Sequence, residues 1–112
     1  MNKDAGFYEW VLNDLFDGLT GLTSRAMFGG YGFYLRGKIF AIIADGRLYF
    51  KADEKAIPDF KKYGSHPFHY SSKDRKAVTM GYWELPEEIM EERDLLLSWV
   101  KRAAASTKST KR

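Results

Sequence analysis

His66 and His69 stand three residues apart in GSHPFHY, a spacing at which two imidazoles can share one metal ion. The stretch is a proline-bearing loop without obvious further ligands, and the chain has no cysteine to complete a thiolate site. Two ordinary loop histidines are the simpler reading, and no metal or other cofactor is expected. Ser24, Ser65, Ser71 and Ser72 supply hydroxyls, yet none lies in the G-x-S-x-G elbow that exposes a nucleophile at a strand-to-helix turn. The acidic pairs Glu87-Glu88 and Glu91-Glu92 resemble catalytic carboxylates only in number. At the start of a helix, on its polar face, they are favoured by the dipole and by water. No arrangement gives positive support for catalysis, so the expected protein is not an enzyme.

MFGGYGFY, residues 27–34, raises two further possibilities. A phosphate cradle needs its glycines between a strand and a helix N-terminus, but Phe33-Tyr34-Leu35 continues as strand. The RNA-recognition signature K/R-G-F/Y-G/A-F-V-x-F/Y is met at Gly30, Tyr31, Gly32 and Phe33. It fails where Gly29 replaces the cation, Tyr34 the valine and Arg36 the last aromatic. That signature also belongs on an inner strand after a strand and a helix, whereas here it opens the first hairpin.

The elements that would position these residues can be read from periodicity. Tyr8, Val11, Leu12, Leu15, Phe16 and Leu19 recur at helical spacing and mark an amphipathic first helix ending near Gly18. Arg36-Gly37 and Asp45-Gly46 are two-residue turn signals, the second strong because Asp-Gly suits the positive φ angles of a type I′ turn. They predict antiparallel strands at about 28–35, 38–44 and 47–52. Asp53 can cap a short second helix with Pro58 near its start and Gly64 beyond its end. Residues 68–83 read as an irregular hairpin. LPEE then opens a third helix carrying Ile89, Arg93, Leu96, Leu97, Val100 and Ala103 at helical spacing. The order is helix, three strands, helix, two strands, helix: a two-layer α+β domain over 1–104 with helices on one face of an antiparallel sheet. Residues 105–112 are expected to form a basic, disordered tail.

At 112 residues, with 45% hydrophobic content and no cysteine, the chain can bury a core without disulfides or metal. It has no apolar run of signal-peptide or membrane-span length, so a soluble, cytoplasmic protein is expected, with no membrane partner. The formal charge of +3 is unevenly placed: residues 25–76 hold eleven Lys or Arg against five acids, and 101–112 hold five cations and no acid. The first 24 residues and 77–100 are acidic. A basic middle or tail is therefore a better argument for nucleic acid than the overall charge is.

With the two turns fixed, cross-strand partners must share a face. The helix-covered face is expected to hold Gly30, Gly32, Tyr34, Ile39, Ala41, Ile43, Leu48 and Phe50, with the glycines letting a helix approach closely. The other face is expected to hold Tyr31, Phe33, Leu35, Lys38, Phe40, Ile42, Arg47, Tyr49 and Lys51, open to solvent. A contiguous aromatic surface marks an interaction site. Tyr31, Phe33, Phe40 and Tyr49 are thus the expected contact residues of a homodimer or a partner protein. The alternative is nucleic acid, contacted by Lys38, Arg47 and Lys51 of the sheet and by Lys108, Lys111 and Arg112 of the tail.

Three stretches, SRAMFGGYGFYLRGKIFAIIADGRLYFKAD, GSHPFHY and VTMGYWELPEEIMEERDLLLSWVKRA, together resemble the N-terminal domain of the TfoX/Sxy competence-regulator family over residues 5–105. The MFGGYG and YWELPEE segments carry most of that resemblance. It implies a secretion-chaperone-like α+β fold, no catalytic residue set, and kinship with regulators that promote expression of DNA-uptake genes together with a cyclic-AMP-dependent activator. A transcription-regulator protein is the partner it suggests. Those regulators continue into a second, helical domain, whereas this sequence stops at Arg112. The expectation is a stand-alone domain that keeps a protein-interaction role.

Overall fold

A computed structural model describes residues 4–27, 30–68 and 81–106 of the chain. Helix α1 (Asp4–Trp10) runs directly into a π-helical turn (Val11–Leu15), closed by the Phe16 amide donating to the Val11 carbonyl at 2.9 Å. The wider turn sends Val11, Leu15 and Phe16 together into the core. Gly18, with φ 88°, ends the element as expected. Arg93 then reaches across from the last helix, donating to the carbonyl oxygens of Leu15 and Asp17 at and just past the end of the helical turn, where carbonyls lack intrahelical donors.

Five strands follow in one antiparallel sheet of order β1-β2-β3-β4-β5: β1 (Leu22–Met27), β2 (Gly30–Leu35), β3 (Lys38–Ala44), β4 (Arg47–Lys51) and β5 (Tyr82–Glu84). The α+β class and the antiparallel sheet stand as the sequence implies. Strand β1 is an addition: LTSRAM lacks apolar alternation, and its burial is that of an edge strand, with Thr23, Arg25 and Ala26 exposed. Both hairpin turns form where expected. Arg36 and Gly37 have φ of 52° and 85°, Asp45 and Gly46 of 54° and 74°, the pair of positive angles that a type I′ turn requires.

Register departs from expectation at one residue. Phe33 pairs with Ala41 but Tyr34 with Ile39, leaving Phe40 without an opposite number in a β-bulge. A single extra residue reverses the facing of everything on the far side of it. From Ala41 onward β3 keeps the expected sides, as does β4, with Ala41, Ile43, Leu48 and Phe50 in the core and Ile42, Arg47, Tyr49 and Lys51 turned away from the helices. Ile39, paired with Tyr34, lies on the face away from the helices and not on the covered one. On β2 the expectation is overturned: Tyr31 and Phe33 face the helices, while Gly30, Gly32 and Tyr34 face the other way. Phe40 also points inward and is fully buried.

The core is built around the Phe16 ring, which lies 5.3 Å from Phe33, 5.3 Å from Phe40 and 6.2 Å from Phe50, all edge-on or tilted. Asp53 does not cap helix α2 (Ile57–Lys62) itself but closes the turn leading into it, its Oδ1 accepting from the amide of Ala56, the N-cap residue, at 3.0 Å; Gly64 lies beyond the helix end at φ 78°. The final helical segment divides in two. The short α3 (Glu87–Met90) begins after an extended Pro86, and α4 (Arg93–Ser106) lays Leu96, Trp99, Val100, Ala103 and Ala104 on the sheet. Of the expected hairpin at 68–83, β5 and the bridge from Pro67 to Trp83 are described, and residues 69–80 lie outside the described residues.

Candidate functional site

The four aromatics expected on an open surface are not on one. Phe33 and Phe40 are fully buried, Tyr49 is 9% exposed, and Tyr31 is half-buried beneath Tyr8. The bulge at Phe40 is the cause for β2 and for Phe40 itself. Tyr49 does face away from the helices, but the Phe68 ring packs edge-on against it at 4.9 Å. That face carries cations seated on aromatic rings: Arg25 over Tyr34 at 5.9 Å and Lys51 over Tyr82 at 5.2 Å. Burial pushes the Tyr82 phenol up to about 12, with Tyr34 contributing. Burial also raises the Tyr49 phenol, and the Glu84 carboxylate beside it acts in the same direction.

The expected nucleic-acid contacts of the sheet do not form one patch. Lys38 sits at the β2–β3 hairpin, exposed, whereas Arg47 adjoins the β3–β4 turn at the opposite end of the sheet. Lys51 lies four residues further along β4, roughly 13 Å away at strand rise. Arg47 is engaged by both Glu84 oxygens at 3.2 Å. Lys108, Lys111 and Arg112 lie outside the described residues, as do His69, Ser71 and Ser72.

A different site emerges at the edge where the β3–β4 turn meets Pro86. An open groove of about 550 Å³ runs between α1, the C-terminal end of α2 and the first turn of α3. Trp10 and Tyr63 both line it, each 41% exposed. Trp10 is off the apolar stripe of α1, so its indole stacks on Phe7, centroids 6.0 Å apart, instead of entering the core. Tyr63 follows the last turn of α2, held edge-on to Trp99 at 5.9 Å. Leu48 and Leu85, nearly fully buried, line the groove deeper in. Met90, Glu87 and Glu88 complete it from α3.

Ser65, His66 and Glu84 meet on this groove, a combination that invites a hydrolytic reading. Their bonds are of another kind. The Ser65 hydroxyl donates to the Glu84 backbone carbonyl at 2.6 Å, so its proton is committed to the main chain. His66 Nε2 lies 3.5 Å from Glu84 Oε1, the same carboxylate that holds Arg47. The three residues tie the 63–68 segment to β5, alongside the backbone bonds from Phe68 to Tyr82 and from Glu84 to His66. Ser24 is likewise engaged, 2.7 Å from the Tyr8 hydroxyl. Among the described residues no group of three or more His, Asp or Glu is arranged to hold a metal, and no helix is long and apolar enough to cross a membrane.

Sequence reasoning passed over the groove because its lining comes from separated segments. The available signal was Trp10, a large aromatic outside the stripe formed by Tyr8, Val11, Leu12 and Leu15.

Two comparisons with known proteins bear on this arrangement. The family model for the TfoX N-terminal domain matches residues 14–107, most of the described structure. Over 84 residues the chain is 30% identical to the DNA transformation protein TfoX1 of Aliivibrio fischeri, an alignment covering 75% of this chain and 40% of that protein. The chain thus spans about two-fifths of that relative's length.

Proposed function

Because this chain belongs to the TfoX N-terminal domain family, we propose that it is a cytoplasmic, non-enzymatic regulatory domain that acts through protein contacts in the control of DNA transformation. The observation that carries the reading is the groove, where two aromatic side chains, Trp10 and Tyr63, stand 41% exposed beside one another's segments. Exposed Trp and Tyr in one concavity are the residues that dominate binding energy at protein interfaces. The polar residues of the same groove support this over catalysis, since Ser65 and His66 tie the 63–68 segment to Glu84, whose carboxylate also pairs with Arg47. A transcription regulator is the partner class that the resemblance to the competence regulators implies.

The test is a comparison in the native host. Tagged full chain and its Trp10→Ala/Tyr63→Ala variant are recovered after mild cross-linking, and transformation frequency is scored in the same strains. A discrete protein recovered with the unmodified chain and lost with the variant, together with reduced transformation, is the expected result. Equal transformation by both strains overturns the reading.

A further inference from the structure

The groove also specifies what chemistry its occupant must have. Its lining carries three carboxylates, Glu84, Glu87 and Glu88, against the single guanidinium of Arg47. Glu84 spends its charge on Arg47, both oxygens within 3.2 Å, so that pair is internally balanced. Glu87 and Glu88 remain, both exposed and both on the same short segment after Pro86. Apolar surface from Trp10, Tyr63 and Met90 lies alongside them. A bare acidic pair at a helix start is explained by the dipole alone. What adds information is its placement against exposed aromatic faces, because a cation brought between carboxylate and π-face gains from both.

We propose that the groove binds a peptide segment of a protein partner that carries lysine or arginine next to an aromatic or branched aliphatic residue. This inference rests on the protein-contact reading above and names the chemistry of the partner. Charge complementarity selects the cation: an acidic segment would meet Glu87 and Glu88 with only Arg47 and His66 to offset them, and both of those already lie against the Glu84 carboxylate. The apolar neighbour is needed because Trp10, Tyr63 and Met90 present more hydrophobic surface than a lone cation would cover. The volume of about 550 Å³ lies within the ~300–1,000 Å³ typical of ligand sites, and the groove is open to solvent rather than enclosed, which suits a side-chain pair presented by a polypeptide.

The experiment uses the full 112-residue chain and three synthetic ten-residue peptides, read by fluorescence anisotropy and by amide chemical-shift changes. One peptide alternates leucine and phenylalanine with lysine, the second replaces every lysine by glutamate, and the third by glutamine. The lysine peptide is expected to bind at least tenfold more tightly than the glutamine peptide. The glutamate peptide is expected not to bind. Raising salt from 50 to 500 mM should weaken the lysine peptide several-fold. Glu87→Gln/Glu88→Gln should remove most of the lysine preference, and Trp10→Ala should weaken lysine and glutamine peptides alike, with unchanged circular dichroism confirming that both variants fold. Equal binding of the three peptides, or shifts located away from the groove, overturns the proposal. If host proteins are still captured through Trp10 and Tyr63 while no lysine preference exists, the cation chemistry fails and the protein-contact reading stands.

Discussion

The Tyr8 ring lies nearly flat on the Tyr31 ring, their centroids 4.0 Å apart and their planes 16° from parallel. That contact fixes the side of β2 that meets α1, and it carries Phe33 inward to pack on Phe16 at 5.3 Å. Substitution there is consequently a stability experiment. Phe33→Ala should cost about 3–5 kcal/mol, the range for emptying a buried aromatic site, with Tyr31→Ser costing less because Tyr31 is only half-buried. Denaturant unfolding measures both. A Phe33→Ala protein as stable as the parent would contradict its burial.

Gly30 and Gly32 are both buried, yet for different reasons. A Cβ on Gly30 would stand 1.9 Å from the Ile43 carbonyl oxygen, a backbone atom with nowhere to go. A Cβ on Gly32 would meet the Met27 sulfur at 2.8 Å, the movable end of a flexible side chain. Gly30→Ala should therefore destabilise by about 1–3 kcal/mol and Gly32→Ala by distinctly less, checked by thermal unfolding of the two variants side by side.

The half-buried phenol of Tyr82 gives a pH signature. Its ordinary value of 10.0 is pushed up to about 12 in the folded chain. Between those values the folded protein holds a proton that the unfolded chain releases, so stability declines as pH rises from 10 to 12, and below 10 the group has no effect. Tyr82→Phe should flatten that decline. Denaturant midpoints recorded between pH 9 and 12 provide the comparison, and identical slopes for the two proteins would contradict the assignment.

Lys38, Arg47 and Lys51 are spread along the sheet, and Arg47 is bound to Glu84. Sheet cations placed in this way should not give the steep salt dependence of a multi-phosphate contact. In titrations of duplex and single-stranded DNA at 50 and 200 mM salt, the Lys38→Ala/Arg47→Ala/Lys51→Ala variant should behave like the parent. A tenfold loss of affinity in the variant would restore the nucleic-acid alternative.

Local chemistry made the two hairpin turns and the β3–β4 register legible in the sequence, because each depends on a few adjacent residues. Asp45-Gly46 requires positive φ and obtains it, and the pairing of Ala41 with Phe50 and of Ile43 with Leu48 follows from that turn. The bulge at Phe40 was not legible. KIFAIIA reads as an uninterrupted strand, and what seats Phe40 inward is the space beside Phe16 and Phe50, a tertiary fact. β1 was hidden by its polar composition, which an edge strand tolerates. The groove escaped because Trp10, Tyr63 and Glu87 are brought together only when α1, α2 and α3 have packed.

The most direct measurement is photo-cross-linking in the native host, with a photoreactive phenylalanine analogue, which keeps an aromatic ring, placed either at position 10 in the groove or at position 34 on the opposite face of the sheet. A discrete protein adduct from position 10, absent from position 34 and abolished by Glu87→Gln/Glu88→Gln, is the predicted result. Adducts from position 34 with none from position 10 would contradict the account.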